Sequence, residues 1–245
     1  MTAVILAAGV ASRLRPLTDN TPKCLLQLGK QTILGRSIDY LLVNGIEQFI
    51  IVTGYLGSQI VDFIGNTYPD VRIKFVHNAE YATTNNIYSL WLALQNMEDE
   101  AMLLLDSDIL FDPRIIALLL DSSFENCLAL KSTHRLGEEE IKVRINGQGY
   151  ITDISKEVDP NLAIGESIGI EKFSSSGLRS LHNELNRMIV DQKQVNVWYE
   201  SAFQNCINDG LQLWPVDVGR LVCMELDTPE DLRQAEMEVI PQLDR

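Results

Sequence analysis

The chain has 245 residues, of which 46% are hydrophobic, and 34 Asp and Glu against 20 Lys and Arg give it a formal net charge of −14. That length and apolar content bury a substantial core, as one large α/β domain or a domain with a small appended lobe, and exclude a disordered chain. With a pI of about 4.6, the surface repels nucleic acid and anionic membrane, so any site for an anion must gather its positive charge locally.

In chain order, an apolar strand over 3–6 leads into Leu6-Ala7-Ala8-Gly9 and a loop carrying Arg13, Arg15, Pro16, Thr18, Pro22 and Lys23. Small residues let a backbone approach a bulky anion. Two cations ten positions apart, Arg13 and Lys23, can grip phosphates from different sides. A helix is predicted over 33–43, a strand over 49–53 ending at Gly54-Tyr55, and a helix over 56–64. A strand over 73–76 precedes Tyr81-Ala82-Thr83-Thr84-Asn85-Asn86 and a helix over 87–95. The buried run at 102–105 ends in Asp106-Ser107-Asp108, followed by a helix over 114–120. Carboxylates at the end of such a strand can hold Mg²⁺ through oxygen, although an Asp before Pro113 also suits a turn or a helix cap. Alternating strands and helices predict an α/β fold with a mainly parallel sheet flanked by helices. The loops at 7–23, 53–56, 78–86 and 106–112 then gather at the carboxyl ends of the strands, where ligands of such sheets bind.

The second half reads differently. Apolar runs at 141–145 and 150–154 flank Asn146-Gly147-Gln148-Gly149, a hairpin signal. A strand is predicted over 163–170, helix caps at Ser174–Ser176 before a helix to about 190, and a helix over 200–208. Two short strands follow at 212–216 and 221–225, then a last helix from Pro229. Lys142 and Lys156 are candidates to neutralise an anion, or are plain surface charges. Trp198-Tyr199-Glu200 joins two aromatic faces to a carboxylate, which suits an ammonium group; core packing and a helix start explain the same residues. Asp227, before Thr228-Pro229-Glu230, fits a helix cap.

The scattered cysteines, Cys24, Cys127, Cys206 and Cys223, make neither a zinc site nor a disulfide framework and suit a reducing cytoplasm. No run reaches the roughly 18 apolar residues of a membrane span, so a cytoplasmic protein without membrane insertion is expected.

Leu6-Ala7-Ala8-Gly9, Arg13 and Pro22-Lys23 resemble the signature of the sugar-phosphate nucleotidyltransferase superfamily, with Ala11 where a second glycine is usual. Thr84-Asn85-Asn86-Ile87-Tyr88-Ser89-Leu90, with Gly54-Tyr55, is similar to the LicC-type phosphocholine cytidylyltransferases and their relatives acting on 2-aminoethylphosphonate. The resemblance implies a Rossmann-like, GT-A-like nucleotide-diphospho-sugar transferase fold in one domain, with residues 1–130 binding nucleotide and 131–245 binding acceptor. It implies Mg²⁺ on Asp108 and Asp227, with Asp106 beside them, and CTP held by Leu6, Ala7, Ala8, Gly9, Arg13, Lys23, Gly54, Tyr55, Asn85 and Asn86. Arg13, Lys23 and Asp108 would be catalytic. Lys142, Lys156, Glu166, Trp198, Tyr199 and Glu200 would bind a small phosphorylated or phosphonate amino-alcohol. A homodimer is compatible with this. The alternative is a sugar-1-phosphate or inositol-1-phosphate nucleotidyltransferase. A GT-A glycosyltransferase lacks the Arg13…Lys23 loop, and a non-catalytic nucleotide sensor has no need of all four of Arg13, Lys23, Asp108 and Asp227.

Overall fold

A computed structural model describes residues 1–98, 100–133 and 136–244. The first half runs β1 (Thr2–Ala7), β2 (Gln27–Leu28), β3 (Gln31–Thr32), α1 (Ile33–Val43), β4 (Gln48–Thr53), α2 (Gly57–Thr67), β5 (Arg72–His77), α3 (Asn86–Leu94), β6 (Met102–Asp106), β7 (Ile109–Phe111), α4 (Arg114–Asp121) and β8 (Cys127–Lys131). The second half adds β9 (Lys142–Ile145), β10 (Ile151–Ser155), β11 (Gly165–Phe173), α5 (Ser175–Asn186), α6 (Glu200–Asn208), β12 (Trp214–Asp217), β13 (Cys223–Glu225), α7 (Pro229–Gln234) and α8 (Ile240–Leu243).

The main sheet follows the order β10-β9-β11-β6-β1-β4-β5, with β8 on β11 and β12 on β8. β6, β1, β4 and β5 are parallel, and β11 runs antiparallel to β6. Every residue of β1 is buried, as expected of a strand covered on both faces. Val4 and Leu6 join one core with Leu90 of α3, Leu181 of α5 and Phe203 of α6. Ala3, Ile5 and Ala7 join the opposite core with Ile38 of α1, Ile60 of α2 and Ile115 of α4. Each Val, Leu, Ile or Phe among them contributes about 1.5–3 kcal/mol when fully buried.

A third cluster matters more for function. Leu14, from the loop after β1, packs with Ile33, Leu110, Leu226, Leu232, Val239 and Ile240. It ties the Arg13 loop to the C-terminal helices. The Arg36 guanidinium, 4% exposed, meets Asp244 at 2.9 Å across the same seam.

The predicted alternation is present, and the hairpin pairs β9 with β10 antiparallel. The two-residue strands β2 and β3 were not expected, and three elements near the site also differ. The segment 106–112, read as a loop, contains β7, whose partner β13 lies more than a hundred residues on. β8 went unassigned, because Cys-Leu-Ala-Leu-Lys is held extended by β11 and β12 rather than by local propensity. β11 runs to Phe173, past the expected end at 170. All four cysteines are free and buried. Among the described residues no helix is long and apolar enough to cross a membrane.

Candidate active site

Two cavities open at the carboxyl ends of the parallel strands. The smaller, about 400 Å³, is lined by Leu6 to Arg13, Pro22 to Cys24, Asn85, Asn86 and Asp106 to Asp108. The larger, about 860 Å³, is lined by Lys156, Glu166, Glu200 and the segment 219–225. Arg13, Asn86, Asp106, Trp198, Glu225 and Asp227 line both, so they form a shared wall.

The loop after β1 is built for close approach. Ala11 lies in the left-handed region (φ 50, ψ 49), and its carbonyl accepts from Thr18 Oγ1 at 2.9 Å. This is where the superfamily uses its second glycine, for which that conformation costs nothing. Behind the loop, Tyr55 N donates to the Ala8 carbonyl at 3.1 Å, and Tyr55 Oη donates to the carbonyls of Thr18 and Asp19. A Cβ on Gly54 would fall 2.7 Å from the Ala8 carbonyl oxygen. Gly54 and Tyr55 therefore buttress the loop from behind and are not among the residues lining the smaller cavity.

Three strand ends deliver the charges. Lys23, with a side chain 10% exposed, places Nζ 2.7 Å from Asp108 Oδ2 and 2.8 Å from Asp227 Oδ1. Burial opposes its charge, but the two carboxylates outweigh burial and hold its pKa above the ordinary lysine value. Arg13 Nη2 lies 2.5 Å from Asp227 Oδ2. Burial likewise opposes the charge on Asp227, and Lys23 and Arg13 overcome it to hold its pKa low. Asp227 is fixed from below: Asp231 Oδ2 accepts from the Asp227 and Thr228 amides, and Thr228 Oγ1 accepts from Asp231 N. This capping box positions the carboxylate as well as starting α7.

Asp108, Glu225 and Asp227 can bring carboxylate oxygens within 4.8 Å of one another. Glu225, at the end of β13, had no assigned role in the sequence. Its signal was there: Glu225-x-Asp227 repeats the spacing of Asp106-x-Asp108 at a second strand end. Three hard oxygen donors at this spacing fit a divalent cation of the Mg²⁺ type.

Asp106, in this wall, leads into a buried acidic layer of Glu171 and Glu200. Tyr199 Oη donates to Asp106 Oδ2 at 2.9 Å. Burial, then Asp108 and Glu200, push the Asp106 carboxyl well above its usual range. Gly169 takes a positive φ in an irregular stretch of β11, and a Cβ there would lie 2.7 Å from Asp106 Oδ2. Glu171 and Glu200 each leave a buried Oε2 without a hydrogen-bond partner. Burial raises the Glu200 carboxyl to about 7.

The acceptor candidates separate. Glu166, Glu200, Lys156 and Trp198 face the larger cavity. Lys156 Nζ lies 5.0 Å from the centre of the Trp198 ring and 3.0 Å from Glu139 Oε2. Lys142 and Tyr199 do not face it. Lys142 is 1% exposed, with Nζ donating to the carbonyls of Gly137 and Glu140. Tyr199 is fully buried and supports Asp106. Asn85 Oδ1 caps α3, and Asn86 Oδ1 accepts from Tyr199 N. Both line the smaller cavity.

A mixed sheet with an Ala-Ala-Gly loop at the end of its central strand defines the nucleotidyltransferase class. The chain belongs to the family of MobA-like NTP transferase domains, whose pattern matches residues 3–141. It is 34% identical over 232 residues to the 2-aminoethylphosphonate cytidylyltransferase of Lancefieldella rimae, covering 94% of this chain and 89% of that protein. It is 27% identical to the CMP-5'-(3-aminopropyl)phosphonate synthase of Streptomyces rubellomurinus over 98% of its own length, and spans 39% of the length of that protein. The solved CTP:phosphocholine cytidylyltransferase from Streptococcus pneumoniae (LicC) shares the fold, with a TM-score of 0.76 at 24% identity over 96% of this chain and 97% of that one.

Proposed function

We propose that the chain is a cytidylyltransferase that joins CTP to a small phosphonate or phosphate carrying a primary ammonium group. The observation that carries this reading is the shared wall. One cavity offers the Ala-Ala-Gly loop with Arg13 and Lys23, the other the buried Glu200 carboxyl with one oxygen lacking a hydrogen-bond partner, and the Asp108–Glu225–Asp227 cluster lies between them. Residues 1–130 would serve the nucleotide and 131–245 the acceptor, within one domain.

In the reaction, an acceptor oxygen attacks the α-phosphorus of CTP, a new P–O bond forms, the bridging P–O bond to the β-phosphate breaks, and pyrophosphate leaves. The acceptor oxygen is already ionised at neutral pH, so positioning and charge neutralisation dominate. Backbone at Leu6 to Gly9 approaches the triphosphate, while Arg13 and Lys23 take its charge. Asp108 and Asp227, with Glu225, would hold Mg²⁺, which when bound neutralises charge on the phosphate oxygens. With their carbonyl oxygens engaged, Asn85 and Asn86 keep NH₂ donors that would meet O2 of a pyrimidine and, in cytosine, N3 as well.

At the acceptor end, Lys156 lies against the Trp198 ring and Tyr199 is buried, so among the described residues lining the larger cavity Trp198 is the one aromatic side chain, which favours a primary over a quaternary ammonium. Glu200 instead offers a buried acceptor oxygen to an N–H donor. The names of two relatives, acting on 2-aminoethylphosphonate and making a 3-aminopropylphosphonate product, support the same class.

Pyrophosphate release with Mg²⁺ tests this across CTP, UTP, GTP and ATP, each with 2-aminoethylphosphonate, phosphoethanolamine, phosphocholine, inositol 1-phosphate and glucose 1-phosphate. CTP with a primary-amine acceptor is expected to turn over fastest. Turnover confined to the inositol or sugar phosphate would overturn the acceptor assignment. Lys23→Ala is expected to lose kcat by on the order of a hundredfold with an unchanged circular dichroism spectrum; near-normal turnover would remove Lys23 from the machinery.

A further inference from the structure

Arg13, Lys23, Asp108 and Asp227 neutralise one another in pairs. Lys23 Nζ bridges Asp108 Oδ2 and Asp227 Oδ1 at 2.7 and 2.8 Å, and Arg13 takes Asp227 Oδ2. Both oxygens of Asp227 are thus occupied by the two cations expected to grip a triphosphate. Mg²⁺ binds carboxylate oxygen at about 2.0–2.1 Å. An ammonium hydrogen-bonded to one oxygen each of Asp108 and Asp227 competes for the space between the carboxylates of the Asp108–Glu225–Asp227 cluster, and two positive charges so close repel each other. The backbone at Asp227 is pinned by Asp231, whereas Lys23 holds its ammonium at the end of a four-carbon stem. When an ion takes the place, the ammonium is therefore the group that shifts.

We infer that Lys23 is a placeholder cation, holding Asp108 and Asp227 together until a metal-bound triphosphate arrives, and that divalent cation and nucleotide therefore bind with strong positive coupling. This rests on the reading of Asp108 and Asp227 as metal ligands. A divalent cation arriving alone must expel an ammonium that has no new anionic partner. A cation arriving with a triphosphate brings that partner: phosphate oxygens accept Lys23 and Arg13 as the carboxylates turn to the metal. The exchange conserves ion pairs on both sides. Linkage makes it reciprocal, so the nucleotide also binds poorly without the metal.

Mn²⁺ binding to the full chain, followed by the electron paramagnetic resonance of free Mn²⁺, tests this without turnover. The wild type, Lys23→Met and Asp108→Asn are titrated with and without α,β-methylene-CTP, correcting for Mn²⁺ held by the analogue in solution. The wild type is expected to bind Mn²⁺ at least about tenfold more tightly with the analogue than without it. Lys23→Met is expected to bind Mn²⁺ alone about tenfold more tightly than the wild type and to lose most of the coupling. As a second readout, Lys23→Met, and Lys23→Gln beside it, melt lower than the wild type in EDTA and recover with Mn²⁺ alone. Lys23→Met binding Mn²⁺ no more tightly than the wild type, while Asp108→Asn loses binding, overturns the placeholder role and leaves the metal assignment standing. Equal Mn²⁺ binding by the wild type and Asp108→Asn overturns both.

Discussion

At the scale of single residues, two positions that depart from local preference adjoin the cleft. Ala11 holds a left-handed conformation that costs an L-residue about 1–2 kcal/mol, partly offset in comparison with glycine by glycine's greater freedom when unfolded. Ala11→Gly is therefore expected to stabilise the chain by about 0.5–1 kcal/mol, read as a higher urea midpoint at unchanged slope. Glu200 is the second. Burial lifts its carboxyl from 4.5 to about 7, with Lys156 pulling the other way, and burial raises the Glu171 carboxyl in the same direction. Between those two values the folded chain keeps a proton that the unfolded chain has released, so stability falls as pH climbs from about 4.5 through 7. Unfolding by urea at pH 5 and pH 8 should show the loss, and Glu200→Gln should shrink it. An unchanged pH dependence in that variant would mean that Glu200 is ionised in the folded state. The motif loop was legible here because its chemistry is local: small residues, then cations at fixed spacing. Lys142 and Tyr199 were misread because residue type does not report burial. A lysine whose ammonium meets two backbone carbonyls looks, in sequence, like one that meets a phosphate.

At the scale of elements, the site depends on where strands stop and helices begin. Asp106 ends β6, Glu225 ends β13, and Asp227 stands immediately before the Thr228 cap of α7. That cap does double duty, because Asp231 receives the Asp227 amide as well as that of Thr228. Thr228→Ala is expected to cost about 1 kcal/mol of stability and to lower kcat/KM by less than Asp227→Asn does. Equal losses in the two variants would show that the cap is as necessary as the carboxylate. The parallel strands and their helices were readable, since each carries its own hydrophobic period. β7 and β8 were not. Three residues of β7 carry too little pattern, and β8 is extended only because β11 and β12 flank it. Glu225 was missed for a related reason: its place beside Asp108 follows from the pairing of β13 with β7, a contact between distant segments.

At the scale of the molecule, the net charge of −14 is answered by a few cations held at one point on the sheet edge. The C-terminal helices keep that point in place through the cluster around Leu14 and through the Arg36–Asp244 pair. Asp244→Ala leaves a guanidinium with a 4% exposed side chain short of its partner and is expected to cost about 3 kcal/mol, checked by denaturant unfolding; a loss below about 0.5 kcal/mol would class the pair with exposed surface bridges. The same seam has a temporal consequence. Arg13 and Asp227 are 214 positions apart, so the charge cluster closes only when these distant segments meet. A chain growing on the ribosome presents its Ala-Ala-Gly loop long before Asp227 and the helices that anchor Leu14. The proposed cluster is therefore incomplete until Asp227 and its helix have been made, and competence for the proposed pyrophosphate release should appear abruptly once they are present rather than build up during synthesis.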